Sequence, residues 1–322
     1  PQSITLALPD AWGGDLRCAA GACLLGAVEH ENSKVVLLRL KGRGAERLDE
    51  QAVAYHPDSA AWLSGELLAA AVENSASLDI FRTSGDRLAP VQQLPVGFAP
   101  RDVIVVPAAE GQYRLLATPY RGKQVAWIDW REGAPAPQPR MAAWCEAPWH
   151  PTLVSRLPGR KGGGIAAACL DDKQVVAVSE SDWYAAPKVL ASFDAIPRQA
   201  RPSPSGAWLY VALETGGRNA RIDMQTGELQ WIKAPPTGSV AVAPLADDLV
   251  IWADDQRLTL QRLDAQAQVL ETRSLRTSGF STSVQLHDID GDGALDALVL
   301  NSAGKRSDVI YGPLWQQAQP QP

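Results

Sequence analysis

Four aspartates stand within nine residues near the end of the chain, in His287-Asp-Ile-Asp-Gly-Asp-Gly-Ala-Leu-Asp-Ala-Leu-Val-Leu-Asn301. Asp288, Asp290, Asp292 and Asp296 fall at positions 1, 3, 5 and 9 of a tight loop, and Gly291 and Gly293 permit the turns that point the carboxylates inward. A hard divalent cation takes six to eight oxygens at roughly 2.3–2.6 Å, which these carboxylates, the Ala294 carbonyl and water would supply. Without a cation, four negative charges this close repel one another. The spacing therefore predicts one bound Ca2+ in a structural role. The helix-loop-helix type of calcium loop is excluded, because Val299 stands where it needs a bidentate Glu and the following residues read as a strand.

The four cysteines, Cys18, Cys23, Cys145 and Cys169, show no Cys-x-x-Cys spacing and no His at zinc-finger distance. Two disulfides are expected, Cys18–Cys23 across a short hairpin and Cys145–Cys169 between neighbouring repeats. Disulfides and calcium both belong outside the cytosol, which predicts a periplasmic or extracellular location. A first residue of Pro rather than Met is read as a sign of processing.

No other constellation is visible. Gly-x-Ser-x-Gly is absent, and Gly159-Arg-Lys-Gly-Gly-Gly164 lacks the end of a phosphate loop. His30, His56, His150 and His287 lie in different repeats, so no catalytic or cofactor-binding residue is assigned from spacing. Trp127, Trp208, Trp231 and Trp252 sit in strand patterns and are expected between sheets. Trp12, Trp144, Trp149 and Trp183 are read as exposed and available to a sugar or peptide.

The elements that would position these groups repeat along the chain. A short apolar strand, a polar turn and a second alternating strand begin at residues 24, 67, 115, 165, 209, 249 and 298, a period of about 46 residues. The 24 Pro and 26 Gly fall mostly between these strands. Such a period, with strand-like alternation, predicts a seven-bladed β-propeller of four-stranded antiparallel blades. The last repeat lacks an outer strand, and Ser3-Ile-Thr-Leu-Ala-Leu-Pro9 has no partner, so the N-terminal strand should close the seventh blade. One propeller domain is expected over residues 1–315, with 316–322 a flexible tail.

Asp-x-Asp-Gly-Asp-Gly-x-x-Asp running into Ala-Leu-Val-Leu resembles the integrin-type and bacterial FG-GAP/VCBS propeller repeat, in which a calcium loop joins two strands of a blade. Ser203-Pro-Ser-Gly-Ala-Trp-Leu-Tyr-Val-Ala-Leu, followed by Ala220-Arg-Ile-Asp-Met-Gln-Thr-Gly-Glu, resembles the YVTN/lactonase-like propeller repeat, although Ser205 replaces its usual Asp. Both resemblances concern blade folding and carry over no catalytic residue.

A net charge of -6 and a pI near 5.3 argue against nucleic acid, and no apolar run is long enough to span a bilayer. The expected function is a calcium-stabilised extracytoplasmic binding or scaffolding propeller, monomeric by itself and engaging a protein or glycan of the cell envelope through one face. The turns on one rim, among them Glu29-His-Glu-Asn-Ser, Glu73-Asn-Ser-Ala and Pro119-Tyr-Arg-Gly-Lys, are the candidate face. The competing expectation is a lactonase- or lyase-type enzyme whose active site lies at the central channel. A channel mouth with converging carboxylates or histidines would favour the enzyme.

Overall fold

Proline opens four of the strands that face the centre of the molecule, Pro57–Trp62, Pro100–Val106, Pro148–Val154 and Pro197–Pro202. The first residue of an inner edge strand needs no ladder donor, so a ring that lacks N–H is tolerated there. The computed structural model describes residues 2–19 and 21–320. Pro1, Ala20 in the expected Cys18–Cys23 hairpin, and Gln321 and Pro322 in the expected tail lie outside the described residues.

Among the described residues there are six antiparallel sheets. Five have four strands in sequence order, covering residues 11–52, 57–95, 100–143, 148–192 and 197–233. The sixth has seven strands, ordered Ser3–Leu6, Ser307–Ile310, Asp296–Ala303, Val269–His287, Leu249–Leu263 and Ala241–Pro244, with Gln319–Pro320 paired to Val269–His287. Leu249–Leu263 doubles back on itself, since the Leu263 N–H donates to the Asp248 carbonyl at 2.8 Å. The expected N-terminal pairing is present, with Ser3 opposite Ile310 and Leu6 opposite Ser307.

Alternation distributes the core between successive sheets. In the first sheet Leu25, Ala27, Val36 and Leu38 face the last sheet, where they meet Leu298, Leu300 and Val309. Val28, Val35 and Leu37 point the opposite way, onto Leu68, Ala70 and Val72 of the second. Runs such as Leu67–Val72 and Gly164–Cys169 are buried on both faces, and their alanines let neighbouring sheets approach closely. Each fully buried Leu or Val contributes about 1.5–3 kcal/mol, so this periodicity supplies most of the driving force.

Both expected disulfides are formed. Cys18 and Cys23 are direct cross-strand partners with Cα atoms 3.9 Å apart, and Cys145–Cys169 ties the segment after the third sheet to the fourth. No helix among the described residues is long and apolar enough to cross a membrane.

Within the segment expected as a tail, Gln319–Pro320 pairs with Val269–His287. Leu314–Gln317 makes one helical turn whose Leu314 is buried, and Arg273 Nη1 donates to the Trp315 carbonyl at 2.9 Å. Trp144 and Trp149 are buried rather than exposed, because their indoles fill spaces beside the third and fourth sheets.

Candidate functional site at the central cavity

A cavity of about 580 Å³ runs through the middle of the molecule. It is lined by the inner strands of the five four-stranded sheets together with Ala241–Pro244 and the end of Val269–His287, seven strands in all. Polar side chains link adjacent inner strands around it. Asp15 Oδ2 accepts from Trp62 N–H (2.9 Å), Ser59 Oγ from Val103 N–H (3.1 Å), Asp102 Oδ2 from His150 N–H (2.9 Å) and Gln199 Oε1 from Val242 N–H (2.8 Å). Gln285 Nε2 donates to the Gly14 carbonyl at 2.6 Å, which connects the last inner strand to the first.

Each of the five sheets also has a register shift near the start of its inner strand. The extra residues fall between Ala11 and Gly14, Pro57 and Ser59, Pro100 and Asp102, Trp149 and Thr152, and Pro197 and Gln199. A bulge leaves one residue unpaired and re-aims its side chain. The residues singled out in this way are Trp12, Asp58, Arg101, His150 and Arg198, of which Trp12 and His150 line the cavity. Arg101, only 3% exposed, lies between the indoles of Trp12 (5.3 Å) and Trp149 (5.0 Å), and Arg198 lies 5.3 Å from Trp149.

His150 holds a left-handed backbone conformation, φ +49°, uncommon outside Gly and taken more often by Asn, Asp and His than by other residues. Asp102 fixes it there through the backbone N–H and through Nδ1, 3.3 Å from Oδ1, while Arg201 Nη1 donates to the His150 carbonyl at 3.2 Å. Burial works against the Asp102 carboxylate, but the charges of His150 and Arg101 and the backbone donor outweigh it and hold the group well below the ordinary carboxylate range. Burial depresses His150 more than Asp102 raises it, so the imidazole is neutral near pH 7. Burial also lowers Arg198 and Arg201 from their usual values.

Beside this pair stands a column of four rings. Trp12 stacks on His30 (4.1 Å between centroids), His30 on His56 (4.1 Å) and His56 on Tyr55 (3.7 Å). His30 Nδ1 lies 2.8 Å from Oδ1 of the fully buried Asp58, and His56 Nδ1 lies 3.5 Å from Glu73 Oε2. Burial raises Glu73 to about 7, helped by the neighbouring Asp58 carboxylate. The fourth histidine, His287, lines the cavity on the end of the last inner strand; burial lowers its pKa and the charge of Asp15 raises it.

The sequence places three of these histidines in separate repeats; His150 lines the cavity, and His30 and His56 continue the stack that starts at the cavity residue Trp12. A signal was present. Pro57-Asp-Ser, Pro100-Arg-Asp and Pro197-Arg-Gln share one order, in which proline opens the strand, the charged residue is bulged and the polar residue links to the next inner strand. Of the rim turns read as a candidate face, Glu29-His-Glu-Asn-Ser and Glu73-Asn-Ser-Ala contribute His30 to the ring column and Glu73 beside it.

The aspartate loop lies elsewhere, beyond the end of the last inner strand. Carboxylate oxygens of Asp288, Asp290 and Asp296 come within 4.8 Å of one another, but Asp292 does not join them. Arg43 from the first sheet reaches in, its Nε 2.9 Å from Asp290 Oδ2 and its Nη2 3.7 Å from Asp292 Oδ2. Asp296, fully buried, organises the loop by accepting from the backbone N–H groups of Ile289 (2.7 Å), Asp290 (3.3 Å) and Gly312 (2.6 Å). Gly291 and Gly293 take φ of +81° and +88°, the turns their positions require. The donor set is all oxygen and carboxylate-rich, which suits a hard cation.

No family model and no curated protein matches the sequence. Solved structures do match it in fold. Hydrazine synthase from Kuenenia stuttgartiensis is similar with a TM-score of 0.70, at 12% identity over 97% of this chain and 98% of that one. A virginiamycin B lyase from Staphylococcus aureus gives 0.68, at 10% identity over 95% and 98% of the two chains. The chain is a β-propeller. A putative 6-phosphogluconolactonase from Bacteroides uniformis gives 0.62, at 15% identity over 94% and 97%, in line with the lactonase-like repeat. At these identities the propeller fold is what the structures share with this chain.

Proposed function

We propose that the propeller is a small-molecule enzyme of the lyase or lactonase type, with His150 as general base at the mouth of the central cavity. The observation that carries this reading is the Asp102–His150 pair, set beside Arg201 in a 580 Å³ cavity. With the proton held on Nδ1 toward Asp102, Nε2 is the basic nitrogen of a neutral imidazole. It would take the proton next to a carbonyl in a lyase step, or the proton of an attacking water in lactone opening. Arg101, Arg198 and Arg201 supply positive potential for an anionic substrate and for the oxyanion formed from it. The lyase and the putative lactonase among the similar structures support the same choice. A cavity with converging His and Asp turns the choice away from a binding module for an envelope protein or glycan, which a plugged channel would favour.

Panels of lactones and of substrates with an acidic proton next to a carbonyl test this. Turnover should fall on the order of 100-fold or more in His150→Asn, whose replacement tolerates the left-handed backbone. No turnover with either panel, together with recovery of a partner from an envelope fraction, would return the binding reading.

Three features complete the proposal. The seven inner strands and the doubled-back Leu249–Leu263 support seven blades, the sixth and seventh sharing Val269–His287. Asp288, Asp290, Asp292, Asp296 and the Ala294 carbonyl would hold one Ca2+ as in FG-GAP/VCBS repeats, with Asp292 turning from Arg43 to the ion. The two disulfides support an extracytoplasmic site of action.

A further inference from the structure

We infer that Arg43 and a divalent cation compete for the carboxylates of the aspartate loop, so that binding of Ca2+ there releases the first sheet from the last at this contact. The inference rests on the calcium reading of that loop. Arg43 lies in the tight turn between Lys34–Lys41 and Gly44–Ala52, where Gly42 takes φ of +53°. From there its side chain crosses to a loop 247 residues further on, with Nε 2.9 Å from Asp290 Oδ2 and Nη2 3.7 Å from Asp292 Oδ2.

Competition follows from which atoms are held. Asp290 uses Oδ1 to accept the Asp292 N–H at 3.2 Å, and Asp292 uses Oδ1 to accept the Ala294 N–H at 2.8 Å. Those bonds shape the loop from within. The other oxygen of each carboxylate, Oδ2, is the one turned to Arg43, so the guanidinium lies on the two oxygens that a cation would draw in to about 2.3–2.6 Å. Were both to share Asp290 Oδ2, Nε would stand no more than about 5.5 Å from the ion, close enough for like charges to repel. The other half of the loop is preformed whether or not Arg43 is engaged. Asp288 accepts the Gly291 and Gly293 N–H groups at 2.9 and 3.1 Å, and Asp296 accepts the three backbone groups named above.

Tyr311 supplies a second observation that points to a ligand at this place. Arg43 lies 5.0 Å from the centre of its ring, and its hydroxyl is buried without a hydrogen-bond partner among the described residues. Burial, and then the charges of Asp296 and Asp290, push that hydroxyl up to about 12, so it remains a donor at neutral pH. A buried donor is normally paired, and an oxygen in the coordination shell of an ion is an acceptor of the kind this position calls for. Tyr311 belongs to the core shared by the first and last sheets, so the exchange of Arg43 for an ion takes place at their junction. Coupling of this kind is reciprocal: Arg43 weakens the ion by the factor by which the ion weakens the hold on Arg43.

Calorimetric titration of chelator-treated parent and Arg43→Gln with Ca2+ tests the competition, together with phenylglyoxal labelling of the parent read residue by residue by mass spectrometry. The Arg43 side chain is 41% exposed, so the reagent reaches it and the substitution leaves the core alone. Arg43→Gln should bind Ca2+ roughly 3–10-fold more tightly than the parent, the scale of one half-exposed ion pair. Arg39→Gln removes an equal charge from the same hairpin, but from contacts to Glu46 and Asp86, and should leave the affinity unchanged. In the parent, Ca2+ should speed labelling of Arg43 several-fold with a midpoint at the calorimetric affinity, and leave Arg39 as it was. Equal or weaker binding by Arg43→Gln, an equal gain in Arg39→Gln, or Arg43 labelling indifferent to bound Ca2+ would overturn the competition while the calcium reading stands. Absence of Ca2+ binding by parent and Arg43→Gln alike would remove the calcium reading and this inference with it.

Discussion

Asp102 holds His150 at two points, accepting its backbone N–H at 2.9 Å through one carboxylate oxygen and standing 3.3 Å from its Nδ1 with the other. The two residues belong to different sheets, so this contact joins the third inner strand to the fourth and sets the position of the imidazole. Asp102→Asn should cost on the order of 1–3 kcal/mol, since an amide replaces a buried, ionised acceptor. A urea unfolding curve should shift to lower midpoint with unchanged slope.

The same histidine gives stability a pH dependence. Its folded-state pKa lies below the ordinary value, so the folded protein binds fewer protons than the unfolded chain once the pH falls below about 6.5. The contribution is complete above that pH and is lost as pH falls toward the depressed value. The thermal midpoint of the parent should drop between pH 7 and pH 5, and His150→Asn should flatten that drop. Equal slopes in parent and variant would show that His150 does not titrate in this way.

Calcium should raise the melting temperature of the parent, and a chelator should lower it again. Asp290→Ala should remove both responses. Asp296→Ala should destabilise by about 1–3 kcal/mol in calcium and in chelator alike, because three backbone N–H groups lose their acceptor. A parent midpoint indifferent to chelator would remove the structural role of the ion.

Alkylation without reductant followed by mass spectrometry should find no free thiol, and peptides linked 18 to 23 and 145 to 169. Cys145→Ala with Cys169→Ala should cost about 3 kcal/mol, the loop-closure value for a separation of 24 residues. The Cys18–Cys23 pair, which closes a short hairpin already held by strand pairing, should cost less.

Strand periodicity made the architecture legible. Leu24-Leu-Gly-Ala-Val and its six counterparts each became a buried strand, and the unpaired Ser3–Leu6 found Ser307–Ile310. Cys18 and Cys23 could be paired because a hairpin places them opposite one another. The cavity mouth was not legible as a site, because Trp12, Asp102 and His150 are far apart in sequence and come to one cavity only through the packing of separate sheets. Nor does sequence alone mark the positive φ of His56 and His150, which Gly would have advertised more clearly. Trp149 read as exposed because its strand is short of apolar neighbours, whereas its burial depends on Arg101 and Arg198 from other sheets.

The pairing of Ser3–Leu6 with Ser307–Ile310 also imposes an order on assembly. Ser3–Leu6 finds its partner only after the strands of the five intervening sheets have been made, so the last sheet is completed after them. Leu6 and Leu8, both buried in the finished molecule, stay without their native cover until then. A chain permuted to begin at Ala11, with residues 2–10 joined after the C-terminal segment, would place this strand next to its partner in sequence. Such a chain should refold faster than the natural order and reach the same sheets.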